Sequence, residues 1–84
     1  MRAVPSADPK LLRTFGSRLR AVREQVGLSQ EALAERAGLH RTYVSSVERG
    51  RRNISLTNIQ ALADALGVDV PKLFRETSTN SQRR

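Results

Sequence analysis

Arg41, Arg49, Arg51 and Arg52 fall within one short stretch, RTYVSSVERGRR, that contains a single acid, Glu48. A guanidinium is planar and permanently charged. Its fork of N–H donors matches a phosphate, or the O6/N7 edge of guanine, in two parallel hydrogen bonds. Interleaved with these arginines are the small hydroxyl side chains of Thr42, Ser45 and Ser46 and one phenol, Tyr43, all of which hydrogen-bond phosphate oxygens readily. The whole chain leans the same way. Its 84 residues carry 15 Lys and Arg against 8 Asp and Glu, a net charge of +7 with an isoelectric point near 11.5, and every basic residue except Lys10 and Lys72 is Arg. A polyanion is the favoured partner, although a positive surface also serves solubility alone. The segment from Asp64 to Glu76 is roughly balanced, so the charge is polarised along the chain.

Catalysis finds little to work with. The chain has one histidine, His40, and no cysteine, so neither a disulfide nor a thiolate ligand for zinc is available. A lone imidazole without clustered acids makes neither a metal site nor a nucleophile–base couple, and Ser45 and Ser46 have no activating partner in view. The expectation is a binding protein, not an enzyme, with no cofactor and no metal. The N-terminal MRAVPSADPK lacks an apolar run of the signal-peptide kind, and nothing elsewhere approaches a membrane span. A soluble cytoplasmic protein is expected.

The elements that must position the arginines can be read from composition and periodicity. With 38% hydrophobic residues, no Trp, one Tyr and two Phe, the core has to come mainly from Leu, Val, Ile and Ala on helices packed against helices, in one small domain. Residues 1–8 read as a flexible arm, with Asp8 as N-cap and Pro9 at the first helical position. Leu12, Phe15, Leu19, Val22 and Val26 recur every three or four residues and form the buried stripe of a first helix, which Gly27 ends. Gly16 inside it costs up to about 1 kcal/mol relative to alanine, a cost that invites a search for close backbone packing. Ser29 caps a second helix, 30–37, whose Leu33, Ala34 and Ala37 face inward, and Gly38 closes it. A third helix, 41–49, buries Val44 and Val47. At about 100° per residue, Thr42, Ser45, Ser46 and Arg49 lie roughly opposite those valines, with Arg41 and Tyr43 on the flanks. After Gly50 and a loop to Ile54, Ser55 caps a fourth helix with the stripe Ile59, Leu62, Ala63 and Leu66, which Gly67 ends. Asp69 caps a short fifth helix carrying Pro71, Leu73 and Phe74. The tail 77–84 has no apolar residue and reads as a mobile basic end. The expected architecture is all-α, five helices around one core, with the domain at 9–76.

From about Phe15 to Phe74 the chain resembles the lambda-repressor/Cro-type (XRE-like) helix-turn-helix domains. The resemblance is carried by GLSQEALAERAGL, the glycine turn, VERG and ALADALGV. Within that group HRTYVSSVERGRRNISLTNI is similar to the small controller proteins of restriction-modification systems, free-standing dimers that set the timing of endonuclease expression. The resemblance implies a transcriptional regulator that binds double-stranded DNA, with the third helix as the reader. Arg41, Thr42 and Ser46 match positions that contact base edges. Gln30 at the start of the second helix matches a phosphate contact, and Arg52 and Asn53 match loop positions used on the DNA backbone. Tyr43, Ser45 and Arg49 join the backbone group by their place on the helix. Tyr43 serves equally as an edge-packing ring, and Arg49 also answers the helix dipole. The resemblance further implies a salt bridge between Arg23 and Glu48 that fixes the reading helix to the scaffold. His40 stands where those controllers usually carry an acid, which leaves the capping of the third helix open.

One recognition helix touches only a few base pairs, so specificity at useful affinity calls for two copies. Val68, Val70, Leu73 and Phe74 exceed what one short helix hides, and they form the expected homodimer surface; the other reading is that Leu73 and Phe74 close the core of a monomer. A two-fold dimer would set its reading helices about 34 Å apart on a pseudo-palindromic operator, with two dimers on one operator a further arrangement. Regulation of its own and the endonuclease gene would bring RNA polymerase in as a partner. A phage-type repressor or stress regulator is the nearest rival, and an antitoxin that sequesters a partner toxin is the rival from another class.

Overall fold

A computed structural model of the chain describes residues 8–75. The expected arm, save Asp8, the tail and Glu76 lie outside the described residues. Four α-helices follow one another, α1 Pro9–Val26, α2 Gln30–Ala37, α3 Arg41–Glu48 and α4 Leu56–Leu66, and a 3-10 helix, Val70–Leu73, completes the described chain.

The starts of α1, α2 and α4 have a local cause. The Asp8 carboxylate accepts from the backbone N–H of Lys10 at 3.0 Å and of Leu11 at 3.3 Å, and Pro9, which has no N–H to satisfy, fills the first turn. The Ser29 hydroxyl accepts from Ala32 N at 3.0 Å and that of Ser55 from Asn58 N at 3.1 Å. α3 differs: His40 occupies its cap with no side-chain hydrogen bond. The ends share one device, a backbone bond reaching back five residues from the residue after the turn: Leu28 to Arg23, Leu39 to Ala34, Arg51 to Ser46 and Val68 to Ala63.

The fifth helix of the sequence reading is not an α-helix. Asp69 and Pro71 do signal a start, but only four residues follow the cap, and bonds such as Lys72 N to Asp69 O at 3.1 Å and Phe74 N to Pro71 O at 3.0 Å wind them as a 3-10 turn, the form short segments adopt. α3 likewise ends at Glu48, one residue early, with Arg49 as its cap.

One core joins all the elements. Phe15, Leu19 and Val22 of α1, Leu33 and Ala34 of α2, Val44 and Val47 of α3, Ile59, Leu62, Ala63 and Leu66 of α4, and Leu73 are buried together. Val26, expected at the end of the α1 stripe, is 42% exposed, although Arg23 one turn earlier is buried. Leu73 is fully buried; the monomer consumes it, and it drops out of the expected dimer surface. Phe74 is 49% exposed, with its ring 5.1 Å from that of Phe15.

The tightest contact is where α1 crosses the end of α3. A Cβ on Gly16 would fall inside the carbonyl oxygens of Val47 and Glu48 and 2.8 Å from the Glu48 carbonyl carbon. Gly50, at φ 72°, lies so close to α1 that its Cβ would stand 2.8 Å from Arg13 Cα. Two glycines therefore let the C-terminus of α3 rest directly on the backbone of α1.

Helix propensity alone makes Gly16→Ala stabilising by up to about 1 kcal/mol, whereas the crossing makes it destabilising by about 1–3 kcal/mol through overpacking. Urea denaturation is expected to show the loss, and a gain would contradict the packed crossing.

Candidate nucleic-acid interface

The third helix is anchored by its valines and by one carboxylate. Val44 is fully buried and Val47 2% exposed, which turns the opposite side of the helix outward. Arg41, Thr42 and Arg49 are exposed, and Ser45, Ser46 and Tyr43 are half-buried. Five of the six expected contact residues of α3 and its cap thus lie off the buried side, and Tyr43 packs its ring against the edge of the core. Arg49 donates from Nη1 to the Ser45 hydroxyl at 3.0 Å; that hydroxyl keeps its own proton to donate elsewhere.

Glu48, on the last turn of α3, points back into the protein. Its Oε2 accepts from Arg23 Nε at 2.7 Å and its Oε1 from Arg23 Nη2 at 3.0 Å, a bidentate pair whose side chains are 2% and 10% exposed respectively. Gln30 Nε2 adds a third bond, to Oε1 at 2.9 Å. Arg23 is meanwhile tied to the α1–α2 turn, donating from Nη1 to the Leu28 carbonyl at 2.8 Å. The hydrogen bonds to Glu48 hold the Arg23 guanidinium above its already high ordinary pKa, against the opposing effect of burial. It stays charged wherever the protein is folded.

The expected ion pair between Arg23 and Glu48 is therefore present, but as part of a larger arrangement. Four points of the chain meet there: α1, the turn at Leu28, the first residue of α2 and the last of α3. Gln30, expected on phosphate, uses its amide nitrogen on Glu48. Its position at the head of α2, beside backbone N–H groups that favour anions, is unchanged.

The loop after α3 carries Arg52 and Asn53, both exposed. The Arg52 guanidinium carbon lies 5.0 Å from the centre of the Tyr43 ring, a cation–π stack. The Tyr43 hydroxyl in turn accepts a 3.0 Å hydrogen bond from Asn58 Nδ2 of α4. No motif in the sequence marks Asn58. Its one available signal was its place on the first turn of a capped helix, which says nothing of a side chain on another helix. Arg52, Tyr43 and Asn58 form a second cluster, on the flank of α3 beside α4. Among the described residues no cluster of three or more His, Asp or Glu could hold a metal ion, and no helix is long and apolar enough to cross a membrane.

Comparison with known proteins places the chain in a family. A family model described as helix-turn-helix matches residues 19–73. Control protein C.SmaI from Serratia marcescens is 46% identical over 65 residues, 77% of this chain and 77% of that protein. Control protein C.BamHI from Bacillus amyloliquefaciens is also 46% identical over 65 residues, 76% of this chain and 80% of the relative. The crystal structure of the restriction-modification controller protein C.AhdI from Aeromonas hydrophila superposes with a TM-score of 0.74 at 56% identity, covering 75% of this chain and 96% of that one.

Replacing Glu48 by Gln leaves the buried Arg23 charge without a counter-charge, and a loss of about 3–5 kcal/mol is expected in urea denaturation. A loss under about 1 kcal/mol would mean that water already screens the pair.

Proposed function

Because the chain belongs to the helix-turn-helix family, we propose that it is a sequence-specific DNA-binding transcriptional regulator, the controller protein of a restriction-modification system acting on its own gene and that of the endonuclease. The observation that carries this reading is α3 itself: an eight-residue helix with two valines and a carboxylate locked inward, and arginine, threonine and serines facing out. An α-helix fits the major groove of B-form DNA. The control proteins among the relatives supply the biological setting, and a binding role without catalysis in the cytoplasm follows from it.

Arg41 and Thr42 at the N-terminal end of α3, with Ser46 one turn on, read bases. Arg41 forks onto a guanine edge and the Thr42 methyl lies against a thymine methyl. Gln30 with the head of α2, Tyr43, Ser45, Arg49, Arg52 and Asn53 position the domain on phosphates. The protein acts as a two-fold dimer. Three large apolar side chains support this: Leu56 is 84%, Leu11 55% and Phe74 49% exposed. Leu11 and Phe74 also line an apolar cleft of about 200 Å³ with Leu12, Phe15, Ile54 and Ile59. Val68 and Val70 pack against the core and are half-buried, so they contribute at the margin of the surface and Phe74 at its centre. Dimers can occupy neighbouring operators in pairs, and RNA polymerase is the partner through which occupancy becomes regulation.

Fluorescence anisotropy on a duplex selected by the protein from a random pool tests the readout. Arg41→Ala is expected to lose about 1–3 kcal/mol of discrimination against mismatched duplexes with its melting temperature retained; unchanged discrimination would reject Arg41 as a reader. Sedimentation at micromolar concentration is expected to show twice the 9.3 kDa chain mass, and Leu56→Glu to shift the population toward monomer. A wild-type chain that stays monomeric on and off DNA would refute the dimer.

A further inference from the structure

We infer that Asn58, on the first turn of α4 and off the reading helix, is a positioning residue for DNA binding: it sets the direction of the Tyr43 hydroxyl proton and fixes the ring on which Arg52 rests. The inference rests on the DNA-binding reading above and adds a residue outside the contact residues named there.

The chemistry follows from donor and acceptor capacity. A phenol has one proton to give and accepts through its oxygen. Asn58 Nδ2 donates to that oxygen at 3.0 Å in a part-buried setting. With the amide as donor, no hydrogen bond among the described residues uses the Tyr43 proton, and it turns away from α4. A phosphate oxygen is the acceptor that suits it. An aspartate at 58 would reverse the bond, accepting the tyrosine proton and leaving the hydroxyl nothing to donate.

Asn58 is itself held, since its backbone N–H donates to the Ser55 hydroxyl at 3.1 Å and its place on the first turn of α4 is set by that cap. Tyr43 is thus fixed at both ends, by the α3 backbone and by its hydroxyl. The Arg52 guanidinium, exposed on a loop, stands 5.0 Å from the centre of that fixed ring. Holding the ring lowers the entropy Arg52 loses when it engages a phosphate. Asn58 therefore acts on DNA through two residues without touching it.

The test is a double-mutant cycle in dissociation constants, read at fixed salt on a duplex that the wild-type chain selects from a random pool. Asn58→Ala is expected to weaken binding about 3- to 10-fold, the range for one net hydrogen bond. In the Tyr43→Phe background the same substitution is expected to change nothing, because the amide has lost its acceptor. A purely structural role would weaken binding equally in both backgrounds and lower the melting temperature in step. Asn58→Asp separates the two: a carboxylate in the first turn suits the helix dipole, so melting is expected to hold or rise while binding falls below that of Asn58→Ala. Losses that multiply across the cycle, or wild-type affinity in Asn58→Ala or Asn58→Asp, would overturn the assignment while leaving DNA binding intact. A wild-type chain that selects no duplex would overturn the DNA-binding reading and this inference with it.

Discussion

The Glu48 carboxylate, 2% exposed beneath three hydrogen bonds, is the constraint on which the rest depends. A buried anion is expensive unless it is paired and its lone pairs are satisfied. Satisfying it requires Arg23 on α1 and Gln30 on α2 to stand where they do. Gly16 and Gly50 allow the end of α3 to come close enough to α1 for the pair to form, because side chains at either position would hold the helices apart. The angle of α3 is thereby set by electrostatics and by backbone contact together, and the hydrophobic core fills in around that geometry.

Rigid placement matters because α3 is short. Eight residues make little more than two turns, and its own start is uncapped by any side chain. Two valines hold one side. The Glu48 group holds the C-terminal end, and the Tyr43–Asn58 bond ties the flank to α4. A helix tethered at these places presents its outward residues in one fixed arrangement, which is what recognition of base edges requires.

Much of this was legible in the sequence, and the gaps have physical causes. Asp8, Ser29 and Ser55 mark helix starts because capping is local chemistry, and the glycines mark the ends for the same reason. The stripes in α1 and α4 identify the core by period alone. Val26 fits the period but not the burial, since period cannot say where the neighbouring helices stop. Asp69 and Pro71 announce a helix without announcing its length, and Leu73 looked available to a partner only because its burial depends on α1 and α4. Arg23 and Glu48, 25 positions apart, were paired by family resemblance and not by any local rule. Gln30 as their third member, Asn58 against Tyr43 and the near-contact at Gly16 depend on how helices cross, which the order of residues does not display. At Gly16 the cost to the helix was visible, while the carbonyls that forbid a side chain were not.

The central claim is that a rigidly held α3 reads DNA as one half of a two-fold pair. Selection of bound duplexes from a random pool, followed by footprinting of the enriched sequence, tests it most directly. The account predicts two inverted half-sites with protected centres one helical turn apart, about 10–10.5 base pairs. Recovery of a single unrepeated site, or of no enriched sequence at all, would contradict it.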